Sequence, residues 1–296
     1  MMGEKSRARR RVRTRVALFL SLASLAGLVL IRLLGTALRV SGLSAVALST
    51  AGTLLCFLLP ALAGLFLLDG DQHQMLALRA LSAQHVLCLA AAGALFVGPA
   101  ALLAELPGAA LRLCGVELAQ TASSAPDSAL FLPMLLQSAL LAPICEELFF
   151  RGYLMGAFAR AGSGKAVAAA ALLFAAAHGV DAAFLPRFLF GCLLGLMARR
   201  TGSILAPMLM HGCYNAAVLM IGFSGVSLGG SSLLFCALGL LSAALCFAMV
   251  ARVYLARANR APVDWGGALN GREIAKVAVS VLAVIAAVII TGVTKP

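Results

Sequence analysis

Charge is what this sequence has least of. Only 11% of its 296 residues are Asp, Glu, Lys or Arg, and 11 residues in all are acidic. A soluble domain holds about 25% charged and roughly 45–50% apolar residues. Here 62% are apolar and the mean hydropathy is +1.02, which excludes a soluble globule. The eight cysteines contain no CxxC pair and mostly lie in apolar runs, so they supply neither a disulfide framework nor a zinc ribbon. There is no HExxH helix of the zincin kind and no GxGD motif of the intramembrane aspartyl kind. Gly162-Ser163-Gly164 falls in a short loop rather than on a helix facing a histidine, which speaks against a serine intramembrane protease. No internal repeat points to an inverted-repeat transporter.

What is present is a succession of apolar runs. A membrane-spanning helix needs about 20 mostly apolar residues. Candidate spans lie at about 16–38, 43–68, 83–104, 131–159, 165–180, 184–198, 202–222, 231–256 and 274–293. The fifth and sixth are short enough to be tilted or partial. The expected fold class is therefore all-α, a polytopic transmembrane bundle of eight to nine spans. A basic tail at 1–15 precedes a single helical domain at 16–296. The tail followed by Val16 to Ile31 has the look of a signal peptide. The apolar stretch continues past Arg32 to Leu38 and no small-residue cleavage site follows, so the segment reads as a retained helix.

The net charge of +12 does not mark a nucleic-acid binder. Lys5, Arg7, Arg9, Arg10, Arg11, Arg13 and Arg15 crowd ahead of the first span, where basic residues set topology and meet anionic lipid headgroups. With the N-terminus in the cytoplasm and sides alternating, 17 basic residues fall on the cytoplasmic side and five opposite, Arg32 and Arg187 among the five. That bias is the positive-inside pattern. The chain is expected in the membrane with a cytoplasmic N-terminus, and the bacterial plasma membrane is the expected location.

Ionisable groups deep in a bilayer are costly and mark function. Nine acids sit in tails, loops or span ends; Glu146 and Glu147 alone lie inside an apolar helix. Glu147 and Arg151 are four residues apart and share a face, so they can pair. Glu146 points about 100° away and is left free to act on water. A purely structural salt bridge would account for Glu147 and Arg151 but not for Glu146. His178 and His211 also lie in apolar helices, with Asn215 one turn beyond His211 on its face. Counted from the proposed cytoplasmic ends, Glu146, His178, His211 and Asn215 lie roughly 21, 20, 15 and 21 Å deep at 1.5 Å per residue. Polar groups from three helices thus meet in one layer.

Glu146-Glu147-x-x-x-Arg151, Phe174-x-x-x-His178 and His211-x-x-x-Asn215, in that order, resemble the CPBP family of intramembrane proteases. That family contains the CAAX prenyl endopeptidases and the bacterial Abi proteins. The resemblance covers about 131–222 and no more, and it implies a catalytic core there with its active site within the membrane. It implies hydrolysis of a peptide bond in a membrane-associated protein or peptide. Glu146 with His178 would activate the water, His211 and Asn215 would stabilise the oxyanion, and Glu147 with Arg151 would organise the site. A divalent metal such as zinc is an open possibility, with Glu146, His178 and His211 as candidate ligands. The expected partners are a protein or peptide substrate and the lipid bilayer, without nucleic acid. The rival reading is a proton-coupled transporter relaying protons through the same Glu/His cluster.

Overall fold

Helices form every element of the computed structural model, which describes residues 2–66, 78–113, 127–158, 163–179, 181–226 and 233–256. No strand occurs among the described residues. In chain order they are α1 (Met2–Ala37), α2 (Gly42–Thr53), α3 (Leu59–Phe66), α4 (Ala83–Leu95), α5 (Val97–Leu113) and α6 (Phe131–Leu135). There follow α7 (Ala142–Glu147), α8 (Met155–Phe158), α9 (Ser163–His178), α10 (Phe184–Thr201), α11 (Leu205–Ser224) and α12 (Leu233–Leu255). Three stretches wound with the wider i→i+5 pattern, Leu54–Leu58, Leu136–Leu141 and Leu148–Leu154, join α2 to α3 and α6 through α8 into longer rods.

Six of these rods are long and apolar enough to cross a bilayer: Val16–Ala37, Gly42–Gly64, Ala83–Glu105, Ser128–Phe158, Leu205–Ser224 and Leu233–Leu255. The protein is an integral membrane protein. Among the described residues, then, six helices meet this criterion rather than eight or nine. The expected spans at 165–180 and 184–198 exist as α9 and α10. However, the apolar part of α9, Gly164–His178, is too short, and α10 carries Arg187, Arg199 and Arg200. The expected span at 274–293, the polar link before it and most of the 105–127 loop lie outside the described residues. Leu233, Leu238 and Phe247 of α12 face outward, as a bilayer solvent requires.

Two apolar clusters hold the bundle. One gathers Ala17 and Leu25 of α1, Phe57, the Phe149–Phe150 pair, Phe158 and Phe174. The other joins Leu89, Phe96, Phe190, Leu194, Met210 and Cys246 from α4, α10, α11 and α12. All seven described cysteines are free. The α4–α5 rod breaks at Phe96 for an identifiable reason. Pro99 has no N–H for the carbonyl of Leu95, and Ser242 Oγ of α12 donates to that carbonyl instead, at 2.6 Å. Gly98 lets the two helices approach this closely, since a Cβ there would lie 2.5 Å from that of Ser242.

Proline also shapes the rod that carries the two glutamates. In the wide-wound stretch Leu136–Leu141, Ala142 N–H bonds to the carbonyl of Gln137 five residues back. The next donor in that ladder would be Pro143, which has none. Its acceptor, the carbonyl of Ser138, is thereby orphaned on the face turned to α11. Such wide turns recur at functional sites, and here they sit on both sides of α7.

Candidate active site

The sequence places Glu146 and Glu147 at the end of α7, Arg151 in the wide turn after it, His178 at the last turn of α9, and His211 and Asn215 on α11. The fold brings all of these elements to one site. Glu147 is wholly buried and its Oε1 accepts from Arg151 Nη1 at 2.7 Å. Arg151, equally buried, donates from Nη2 to the carbonyl of Gly191 at 3.1 Å and lies over the Phe174 ring at 4.6 Å. Gly191 is where α10 runs close against α9; a Cβ there would meet Ala171 at 3.0 Å. The i,i+4 spacing, the lost side chain at Gly191 and the aromatic face of Phe174 together make a lipid-depth arginine tolerable.

The same Glu147 Oε1 takes a second hydrogen bond, from His211 Nδ1 at 2.8 Å. A carboxylate accepts only, so the Nδ1 proton is fixed and Nε2 is turned to the opposite side. His178 is oriented likewise: its Nδ1 lies 2.9 Å from the carbonyl of Phe174 and donates to it. Phe174 also packs against both imidazoles, with ring centroids 4.6 Å from His178 and 5.5 Å from His211. Phe190 closes the other flank of His211 at 5.7 Å.

Both Nε2 atoms converge on one carboxylate oxygen. Glu146 Oε2 lies 3.6 Å from His178 Nε2 and 4.0 Å from His211 Nε2. It is buried and has no hydrogen-bond partner among the described residues. Three acceptors facing one another at these spacings cannot bond directly; the gap asks for a bridging water or an added proton. Among the described residues no group of three His, Cys, Asp or Glu has metal-ligand spacing. The candidate trio Glu146, His178 and His211 surrounds a space, with Glu146 Oε2 and the two Nε2 atoms turned toward it.

Asn215 is held rather than free. Its Nδ2 donates at 2.8 Å to Ser138, the carbonyl that Pro143 orphans. Gly212 permits the approach, because a Cβ there would lie 2.5 Å from the carbonyl of Ala139. One amide hydrogen remains for another acceptor. A cavity of about 310 Å³ adjoins the cluster, with Glu146 and His178 on one wall and Arg32, Ser49 and Gln137 on others. Three participants escaped the sequence reading. The Ser138 carbonyl was signalled by Pro143. Gly191 had no signal of its own. Arg32 counts among the topology charges by its place near a span end, although an arginine inside an apolar run is the same signal that singles out Glu146.

Residues 128–217 match the family model described as Rce1-like, type II CAAX prenyl endopeptidase, a stretch that contains all seven motif residues. No curated protein and no solved structure matches the chain.

Proposed function

We propose that this integral membrane protein, whose residues 128–217 belong to the CAAX protease family, is an intramembrane endopeptidase that works through a water held between Glu146 and His178. The observation that carries this reading is the unpartnered Glu146 Oε2 facing two imidazole Nε2 atoms whose Nδ1 protons are already engaged. A water there can donate one hydrogen to Glu146 and the other to His178 Nε2, leaving its lone pair for the substrate carbonyl.

Glu146 Oε2 takes a proton as the water oxygen bonds to the carbonyl carbon, and the carbonyl π electrons move to oxygen. A proton taken up from water at His211 Nε2 before the attack, and kept there through the cycle, lets that nitrogen donate to the oxyanion while Nδ1 stays on Glu147. The remaining Asn215 N–H is the second donor. Collapse of the oxyanion breaks the C–N bond, and the proton held by Glu146 passes to the leaving amine. General-base help is typically worth 10²–10⁴-fold and each oxyanion donor a few kcal/mol. Arg151 and Glu147 act through His211 and are positioning residues. The cavity beside Glu146 receives the peptide, and its lining by α1 and α2 opens it to membrane-associated substrates. The positive-inside bias supports a cytoplasmic N-terminus.

The test compares membrane proteomes of cells making the wild-type protein or Glu146→Ala, each with and without a chelator, by sequencing new termini. New termini present with wild type, absent with Glu146→Ala and unaffected by chelation are expected. Termini that persist in Glu146→Ala overturn the mechanism. Loss on chelation with recovery on adding zinc overturns the metal-free step and assigns an ion to the Glu146, His178 and His211 donors.

A further inference from the structure

One charged side chain on the cavity wall has no role in the chemistry above. Arg32 lies inside the first span, Val16–Ala37, about 8 Å short of its end by helix rise. An arginine so placed ordinarily turns outward to the headgroups. Arg32 instead reaches inward: its Nη2 donates at 3.0 Å to the carbonyl of Ala177, the residue before His178. Its side chain lines the same cavity as Glu146 and His178.

The charge of Arg32 is not matched. It makes no ion pair with any described acid. The charged groups that act on it are Arg187, Asp181 and Glu146. Asp181 is already gripped by Arg187 through both carboxylate oxygens, at 2.8 and 3.2 Å. Glu146 is the group that must stay free for water. The chain between them leaves room: Gly179 takes φ +108°, and a Cβ there would sit 3.6 Å from Arg32 Nη1. An accessible guanidinium at membrane depth therefore keeps unused donors next to the candidate catalytic carboxylate. Its planar fork matches a carboxylate bidentately, and such a pair is strong away from water.

We propose that Arg32 is a substrate-binding residue, receiving a carboxylate of the peptide in the cavity beside Glu146 and His178. The proposal rests on the endopeptidase reading. A carboxylate anchored there holds the chain with its scissile bond toward Glu146, so the site favours a peptide with an acid group a short distance beyond the cleaved bond. That group is either the C-terminal carboxylate or an acidic side chain.

The test uses full-length protein in liposomes and a prenyl-cysteine reporter with three apolar residues after the cysteine. The reporter is made as the free acid, as the C-terminal amide, and as the amide with glutamate at the last position. The quantity read is the acid-to-amide ratio of kcat/KM. Wild type is expected to prefer an acid by about tenfold or more, the value of a charge-assisted bond. Arg32→Gln should bring the ratio close to one, chiefly through KM, and Arg32→Lys should restore part of it. A ratio lost for the free acid names the C-terminal carboxylate; one lost for the glutamate reporter names the side chain. If Arg32→Gln lowers acid and amide reporters alike and leaves the ratio intact, Arg32 is structural and the proposal is overturned. A binding arm separates the two readings, using Glu146→Gln with and without Arg32→Gln. Acid-selective, Arg32-dependent binding with no cleavage by wild type overturns the protease and keeps the anchor. Cleavage with no acid selectivity overturns the anchor and keeps the protease.

Discussion

Replacing Arg151 by methionine removes the cation from the most enclosed Arg–Glu pair among the described residues. The substitution keeps length and apolar volume, so the Phe174 contact largely survives. What it takes away is the 2.7 Å bond to Glu147 Oε1 and the 3.1 Å bond to the Gly191 carbonyl. Glu147 is wholly buried, so its carboxyl is left with His211 Nδ1 as its remaining donor among the described residues. Removing one partner of a buried pair costs about 3–5 kcal/mol. The double variant Glu147→Gln, Arg151→Met no longer strands a charge and should recover about half of that loss. Reversible unfolding in mixed micelles, titrated with SDS, measures both. The reasoning is refuted if Arg151→Met stays within about 1 kcal/mol of wild type, or if the double variant falls as far as the single one.

Other positions give independent outcomes. Asn215→Ala should cost about 1–3 kcal/mol in the same assay by leaving the Ser138 carbonyl unmatched, and should also slow cleavage. Gly212→Ala pushes a methyl toward the Ala139 carbonyl, so α11 must shift; stability and cleavage should fall together, with cross-linking between α11 and the 136–141 stretch reporting the displacement. Ser242→Ala leaves Leu95 without its donor and should cost about 1 kcal/mol with little change in turnover, since it lies away from the cluster. His178→Ala should lower kcat by about 10²-fold or more at nearly unchanged stability, because His178 is partly exposed and its loss strands no charge.

The sequence reveals the parts of this site that obey a single rule. Glu146, Glu147, Arg151, His178 and His211 stand out because polar groups are expensive in lipid, and helix spacing correctly pairs Glu147 with Arg151 while leaving Glu146 free. It does not reveal which nitrogen of His211 meets Glu147, because that depends on how α11 lies across α7. Nor does it show that Asn215 is tied to Ser138. That contact needs the wide turn at Leu136–Leu141, whose register decides that Pro143 strands that carbonyl and no other. Span number is legible only where apolar length decides it. α9 and α10 are short or arginine-bearing because they face protein and the polar cluster rather than lipid alone. Arg32 is visible in the sequence as a charge inside an apolar run, but only the approach of α1 to the end of α9 shows that it lines the cavity beside Glu146.

If Glu146 activates water beside the cavity, turnover of a reporter peptide in liposomes must depend on it, and purified Glu146→Gln keeps the shape of the side chain while removing the base. Its kcat should fall about 10²–10⁴-fold with unchanged unfolding and reporter binding. Cleavage by Glu146→Gln at the wild-type rate would contradict that role of Glu146.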